Sequence, residues 1–488
     1  MSEPGNDFGR RAVSGIRWVL ILNLVTLPCS FATNLLLGRI SSAALGSYSA
    51  VQVFVEGFQS FVVFGGANVF TRFVPALPLA HRFSFLRSYA TLVSGVAAVV
   101  FAVAAVAFPG RTGALLMRFG GPSRGIVVVL CGVVLVWAFS SFFLYGILDP
   151  RGAALTLRTV VVAFFVASVV GATGYRELLL SDPGAFLWPA GLAVYGIAAL
   201  VGVTLILRSD TFRSRGPLSW GLPPGFWSAA FYTHLQTLVA FAYMSLSPMI
   251  VLLWLDLNAL GYFHAALRFP VLLTLMPIMV ASVTGPAVAA QEAVGRRADA
   301  FRQVGRTLDA AWAATVPGCI VLAAFAPDVM RVFGPSYPAY AGLLRILTLT
   351  SVAAPMAFIG ASIAVALNAF REYFRASVYF LLTTVGMSFL LVPPLGLTGA
   401  AIAASVGAFV QHVAIAALLA SRFGFRPSSR HWWAWGWTAG VAAVAWFGEP
   451  GRLAAAALAL AGIGGYLWTA GVDRAEIVDA ARKLKGGS

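Results

Sequence analysis

ALGYFHAALRFPVLLTLMPIMVASV, residues 259–283, is apolar over a length that crosses a bilayer and is interrupted by one charge, Arg268. A charge at the bilayer centre costs roughly 2.5–3.5 kcal/mol on insertion scales, so such a residue faces protein or a water-filled cavity rather than lipid. The triplet that opens the stretch, Ala259-Leu260-Gly261, has a counterpart 215 residues earlier, Ala44-Leu45-Gly46 in ISSAALGSYSAV (40–51). In both places a tight apolar turn leads into a long helix that follows the first helix of a half. The repeat predicts an internal duplication.

The rest of the chain fits that reading. Of 488 residues 60% are hydrophobic and only 10% charged, against about a quarter charged in soluble domains, so the protein is polytopic in a membrane. About fourteen apolar runs are long enough to span. The formal charge of +16 raises the question of nucleic acid. Its arginines, however, gather in alternate loops, such as Arg296, Arg297, Arg302 and Arg306, then Arg371 and Arg375, then Arg422, Arg426 and Arg430. That asymmetry places both termini in the cytoplasm and makes the basic balance topological, with no nucleic-acid partner expected. Arg111, Arg118 and Arg124 depart from the pattern locally.

The expected fold is therefore an all-α integral membrane protein of about fourteen helices, in two pseudo-symmetric six-helix lobes plus two C-terminal helices. The expected boundaries are an N-terminal lobe over 1–207, a cytoplasmic linker over 208–225 (RSDTFRSRGPLSWGLPPG), a second lobe over 226–421, and two further helices with a basic tail over 422–488. No extramembrane stretch is long enough for a soluble catalytic or nucleotide-binding domain, and no phosphate-cradling Gly-rich loop occurs. Cys29, Cys131 and Cys319 lie in apolar runs without metal-ligand spacing, and the five histidines are scattered along the chain. The expectation is a carrier and not an enzyme, without cofactor or metal.

Polar residues recur at helical spacing in three spans: Asn23, Thr26, Ser30, Thr33 and Asn34; Gln52, Glu56, Gln59 and Ser60; and Thr233, Gln236, Thr237, Tyr243 and Ser247. Such stripes serve either as hydrogen-bonding contacts between helices or as the wall of a hydrated cleft suited to sugar hydroxyls. Glu56 and Arg268 lie at similar depth, roughly 14–17 Å from the outer helix ends at the α-helical rise. Subtracting 215 places Arg268 at Val53, one turn from Glu56, so the two are expected to face a common cleft. Pro270 and Pro277 are the expected bending points beneath Arg268.

Four segments then resemble a known family in type, order and spacing: LLLGRISSAALGSYSAV (35–51), ALGYFHAALRFP (259–270), VFGPSYPAYAGLLRIL (332–347) and VPPLGLTGAAIAASVG (392–407). The chain, from about residue 15 to 420, resembles the oligosaccharide and polysaccharide flippases, O-antigen flippases among them, of the multidrug/oligosaccharidyl-lipid/polysaccharide exporter superfamily. The resemblance implies alternating-access transfer of a polyprenyl-pyrophosphate-linked oligosaccharide between leaflets of a bacterial inner membrane, for cell-surface polysaccharide. It implies the lipid-linked glycan and membrane lipid as partners, a glycan polymerase or glycosyltransferases as neighbours, and a monomer. Candidate substrate ligands are Arg39, Arg268, Asn34, Gln52, Gln236 and Tyr243, with Arg72 at the entry and Glu56 as a switch. Arg345 is a structural candidate. A lipid-II-type flippase, a cation-coupled multidrug exporter of the same fold and a membrane glycan-processing enzyme are the alternatives.

Overall fold

The computed structural model describes residue 22 and residues 24–470, apart from 66–68, 71–72, 75–76, 108–116, 121–122, 148, 214–220, 294 and 368. The described residues form helices and no strands. The chain divides into two compact units, Met1–His264 and Ala265–Ser488. Eight described helices are long and apolar enough to cross a membrane by length and composition, and further apolar helices are shorter.

The first unit holds α1 (Leu24–Ile40), α2 (Ser42–Val62), α3 (Leu79–Ala107), α4 (Arg124–Gly146), α5 (Pro150–Gly174), α6 (Pro183–Arg208), α7 (Phe226–Trp254) and the start of α8 (Leu257–Ala293). Local chemistry sets several starts. Ser41 caps α2 by accepting from Ala44 N, and Asp149 and Asp182 cap α5 and α6, each followed by a proline at the first helical position, where no N–H is missed. Trp188 Nε1 donates to Phe119 O at 2.9 Å, pinning α6. Tyr89 donates to Phe64 O and sits edge-on to Phe70, Phe139 and Phe226 in an aromatic core.

The second unit continues α8 and adds α9 (Arg297–Ala324) and α10 (Ala341–Pro355), which runs on through one π-helical turn at Met356–Gly360 into Ala361–Ala366. Residues 370–395 and 397–423 are α11 and α12, divided at Gly396, whose φ of 55° is accessible without strain to glycine. Pro393 and Pro394 precede that break. α13 (Arg430–Gly448) and α14 (Arg452–Thr469) follow. The last two helices are bound into the unit: Ala434, Val441, Ala445, Ala459 and Tyr466 are buried, and Trp437 Nε1 donates to Thr469 Oγ1 at 2.9 Å. Pro270 and Pro277, the expected bending points, lie inside a continuous α8, and Ser351 Oγ donates to Pro270 O at 2.8 Å.

Side chains on the outer faces confirm the solvent. Leu200, Leu390, Phe447, Leu453, Leu460 and Trp468 are each more than two-thirds exposed, an arrangement that water would penalise and lipid does not.

Candidate functional site

The two ALG triplets meet inside the first unit. A Cβ on Gly46 would collide with Leu257 O, and a Cβ on Gly261 would collide with Ser42 O; each added Cβ would also lie 3.1 Å from the other glycine's backbone N. Positions 42 and 46 map onto 257 and 261 at the 215-residue offset, so the crossing is related to itself by the repeat. Only small residues let two backbones approach this closely. Beside it, Ser42 Oγ donates to Asn258 Oδ1 at 2.8 Å, and Asp256 Oδ1 accepts from Ala259 N at 2.7 Å at the start of α8.

Below this crossing runs a row of polar pairs. Asn34 of α1 is fully buried; its Nδ2 donates to Ser30 O at 2.6 Å and its Oδ1 lies 2.8 Å from Nε2 of the buried His264, the imidazole N–H donating. The His264 ring meets Tyr48 edge-on at 6.1 Å between centroids. Tyr48 Oη accepts from Gln52 Nε2 at 2.8 Å. Two helical turns beyond Tyr48, Glu56 accepts a hydrogen bond from the buried Ser245 of α7. Residues 48, 52 and 56 share a face of α2 by their spacing of four. The row offers amide, phenol, imidazole and hydroxyl groups, and one carboxylate, within a single unit.

The expected residues are distributed unevenly over this site. Asn34, Gln52 and Glu56 belong to the row. Arg39 lies exposed near the end of α1, and Arg268 lies half-buried on α8 in the second unit. Gln236 and Tyr243 are on α7, with their side chains outside the described residues, and Arg72 is outside them altogether. Arg345 is buried in α10, with Nε donating to Ala323 O at 3.4 Å, a structural placement.

The stripes also split by side-chain type. Thr26, Thr33 and Thr237 donate to the carbonyl one turn earlier in their own helix, at 2.9, 2.9 and 3.0 Å, so their hydroxyls serve the backbone. The Gln52 amide instead reaches another side chain, and the Asn34 amide does both, its Nδ2 donating to Ser30 O and its Oδ1 accepting from His264. Sequence spacing alone did not bring Tyr48 and His264 into the row. The available signal was their place within two or three residues of the glycines of the two triplets.

The histidines that are scattered in sequence are partly gathered in space. His412 and His431 lie 5.2 Å apart between ring centroids, against Trp312, Trp432 and Trp435. Among the described residues no group of three or more His, Cys, Asp or Glu is placed to hold a metal ion.

No protein-family description matches the chain. In sequence it is 26% identical over 180 residues to a "Probable flippase AglR" of Haloferax volcanii, a match covering 36% of this chain and 38% of that relative. In structure it is similar to a lipid II flippase MurJ in an inward closed conformation, with a TM-score of 0.68, 14% identity, and coverage of 94% of this chain and 99% of that one. It is also similar to an inward-facing multidrug resistance MATE transporter of the MOP superfamily, with a TM-score of 0.52, 17% identity, and coverage of 84% and 99%. The fold is that of these membrane transporters.

Proposed function

We propose that this protein is a flippase that moves a polyprenyl-pyrophosphate-linked oligosaccharide from the cytoplasmic to the periplasmic leaflet by alternating access, in a bacterial inner membrane with both termini cytoplasmic. The observation that carries this reading is the polar row from Asn34 to Glu56 on the carrier fold. Neutral donors and acceptors outnumber its one carboxylate, which suits a hydroxyl-rich glycan better than an organic cation. The partial match to a probable flippase and the closeness of the backbone to a lipid II flippase support it. The protein acts as a carrier, not an enzyme, in this reading. The tail of such a substrate stays in lipid while the head group passes, and a potential negative inside favours expelling an anion by about 2.3 kcal/mol per charge per 100 mV.

Arg268 supplies the phosphate contact in this reading, because a guanidinium stays charged at any working pH and pairs with phosphate oxygens through two hydrogen bonds. The lobes of the carrier are 1–207 and 226–421, joined by 208–225, with 422–488 appended. The lipid-II-type alternative is favoured by the structural likeness over 94% of the chain and differs only in the head group carried.

The test measures lipid-linked glycan and lipid II on the cytoplasmic leaflet of cells with equal membrane levels of wild type and variants. Arg268→Ala should accumulate the glycan at normal abundance, Arg268→Lys should restore part of the transport, and Glu56→Gln should not rescue Arg268→Ala. Normal transport by Arg268→Ala overturns the phosphate role. Accumulation of lipid II alone replaces the glycan reading with the alternative.

A further inference from the structure

At the arginine-rich end of the second unit, α8 turns tightly into α9: Gly295 N donates to Glu292 O at 3.0 Å and Arg296 N to Gln291 O at 2.9 Å. Between the two helices lies a cavity of about 270 Å³. Its lining changes character along its length. Val280 and Val283, with Thr284 beside them, line the end farther from the turn, and Val288, Gln291 and Gln303 line the end nearer to it. From Val280 to Gln291 the α-helical rise gives roughly 16 Å, close to half the hydrocarbon thickness of a bilayer.

The polar end is chemically incomplete. Gln291 Nε2 donates to Gln303 Oε1 at 3.1 Å, while Gln291 Oε1 is buried without a hydrogen-bond partner among the described residues. A buried carbonyl oxygen in this position asks for a donor. Arg296 stands at the N-cap of α9, four residues before the cavity-lining Ala300. Its neighbours are neutralised, Arg297 by Glu292 at 2.9 Å and Arg302 by Asp299 at 2.6 Å. Arg296 is exposed and has no ion pair among the described residues.

We propose that this cavity is a binding site for one phosphatidylethanolamine molecule: an acyl chain lies between the valines, the phosphate pairs with Arg296, and the ammonium group donates to Gln291 Oε1. The matching features are the amphipathic lining, its half-bilayer length, the unpaired cation and the unpaired acceptor. A phosphate alone would satisfy Arg296 and leave Gln291 unmet. A quaternary ammonium, which has no N–H, would do the same. The site is contained in α8 and α9 and is independent of the substrate the protein carries.

Native mass spectrometry of the purified full chain tests this, with phosphatidylethanolamine, phosphatidylcholine, phosphatidylglycerol and diacylglycerol of identical chains offered at equal concentration. Wild type should retain one phosphatidylethanolamine about tenfold more tightly than phosphatidylcholine, which corresponds to about 1.4 kcal/mol. Gln291→Leu should abolish that ratio but keep the preference for phospholipid over diacylglycerol. Arg296→Ala should abolish the latter preference, and Ala287→Trp, which fills the cavity, should remove the retained lipid. Equal retention of phosphatidylethanolamine and phosphatidylcholine by wild type overturns the proposal. So does a preference for phosphatidylglycerol, or a retained lipid that Ala287→Trp leaves in place. The deciding ratio is read on wild type, so a variant that fails to fold does not remove the test.

Discussion

In the first unit Asn34, Gln52 and Ser245 each hydrogen-bond a side chain that lies one turn away or on another helix, whereas in the second unit Thr438, His412 and Tyr466 are fully buried and have no hydrogen-bond partner among the described residues. Around the second group the ordering comes from rings: Trp312, Trp432 and Trp435 enclose the two histidines, and Trp437 covers Gly465. Hydrogen bonds between membrane helices contribute only about 0.6 kcal/mol on average. In the second unit aromatic packing adds to interhelical hydrogen bonds such as Ser351 Oγ to Pro270 O and Trp437 Nε1 to Thr469 Oγ1. In the first unit the paired residues lie on α1, α2, α7 and α8.

The helix crossing of the first unit should be the position most sensitive to a single added carbon. Gly46→Ala and Gly261→Ala each place a methyl group on a backbone carbonyl, and should lower stability by about 1–3 kcal/mol or more, seen as a drop in Tm of the detergent-solubilised protein. Gly386→Ala, on α11 with nothing within 4 Å of its added carbon, is the control and should gain about 0.5–1 kcal/mol. Equal behaviour of the three would mean that the crossing is not a tight contact.

Next in size is the buried pair of the first unit. Asn34→Leu or His264→Leu alone leaves a buried polar partner unmet and should cost about 1–3 kcal/mol, while the double variant should cost less than the sum. Additive losses in a thermal-unfolding cycle would deny the pair. In the second unit, Thr438→Val removes a hydroxyl with no hydrogen-bond partner among the described residues and should change stability by less than about 0.5 kcal/mol, or raise it. A large loss there would reveal a partner for that hydroxyl.

The smallest effect concerns Asp328, in the short helix Ala326–Arg331 outside the spans. Its carboxyl is held below the ordinary 3.8 first by the hydrogen bond from Arg452, against desolvation as the next influence, with the charges of Arg452 and Arg331 and a hydrogen bond from Arg331 adding to the lowering. A depressed carboxylate stabilises the fold above its unfolded pKa and loses that contribution as pH falls through its folded pKa. The Tm difference between wild type and Arg452→Gln should therefore be present from neutral pH down to about pH 4 and vanish below it. Solvent screening keeps it small. A difference that persists in acid would place the effect of Arg452 elsewhere.

Much of this architecture is legible in the chain itself. Composition and run length require membrane helices because a continuous apolar run of this length satisfies its own backbone in lipid only as a helix, and the repeated Ala-Leu-Gly triplet points to two related helix starts before any coordinate is known. Helical spacing also selects Asn34 on one span and Gln52 and Glu56 on the next as members of polar stripes, since period and polarity are local properties. The partner of each was settled only by the tertiary structure. His264 stands 230 residues from Asn34, and Ser245 stands 189 from Glu56, distances over which no sequence periodicity carries information. The same limit applies to the triplets: the sequence shows that Gly46 and Gly261 are alike, but that they touch, and that both must lack a Cβ for that reason, follows from two backbones packed in space.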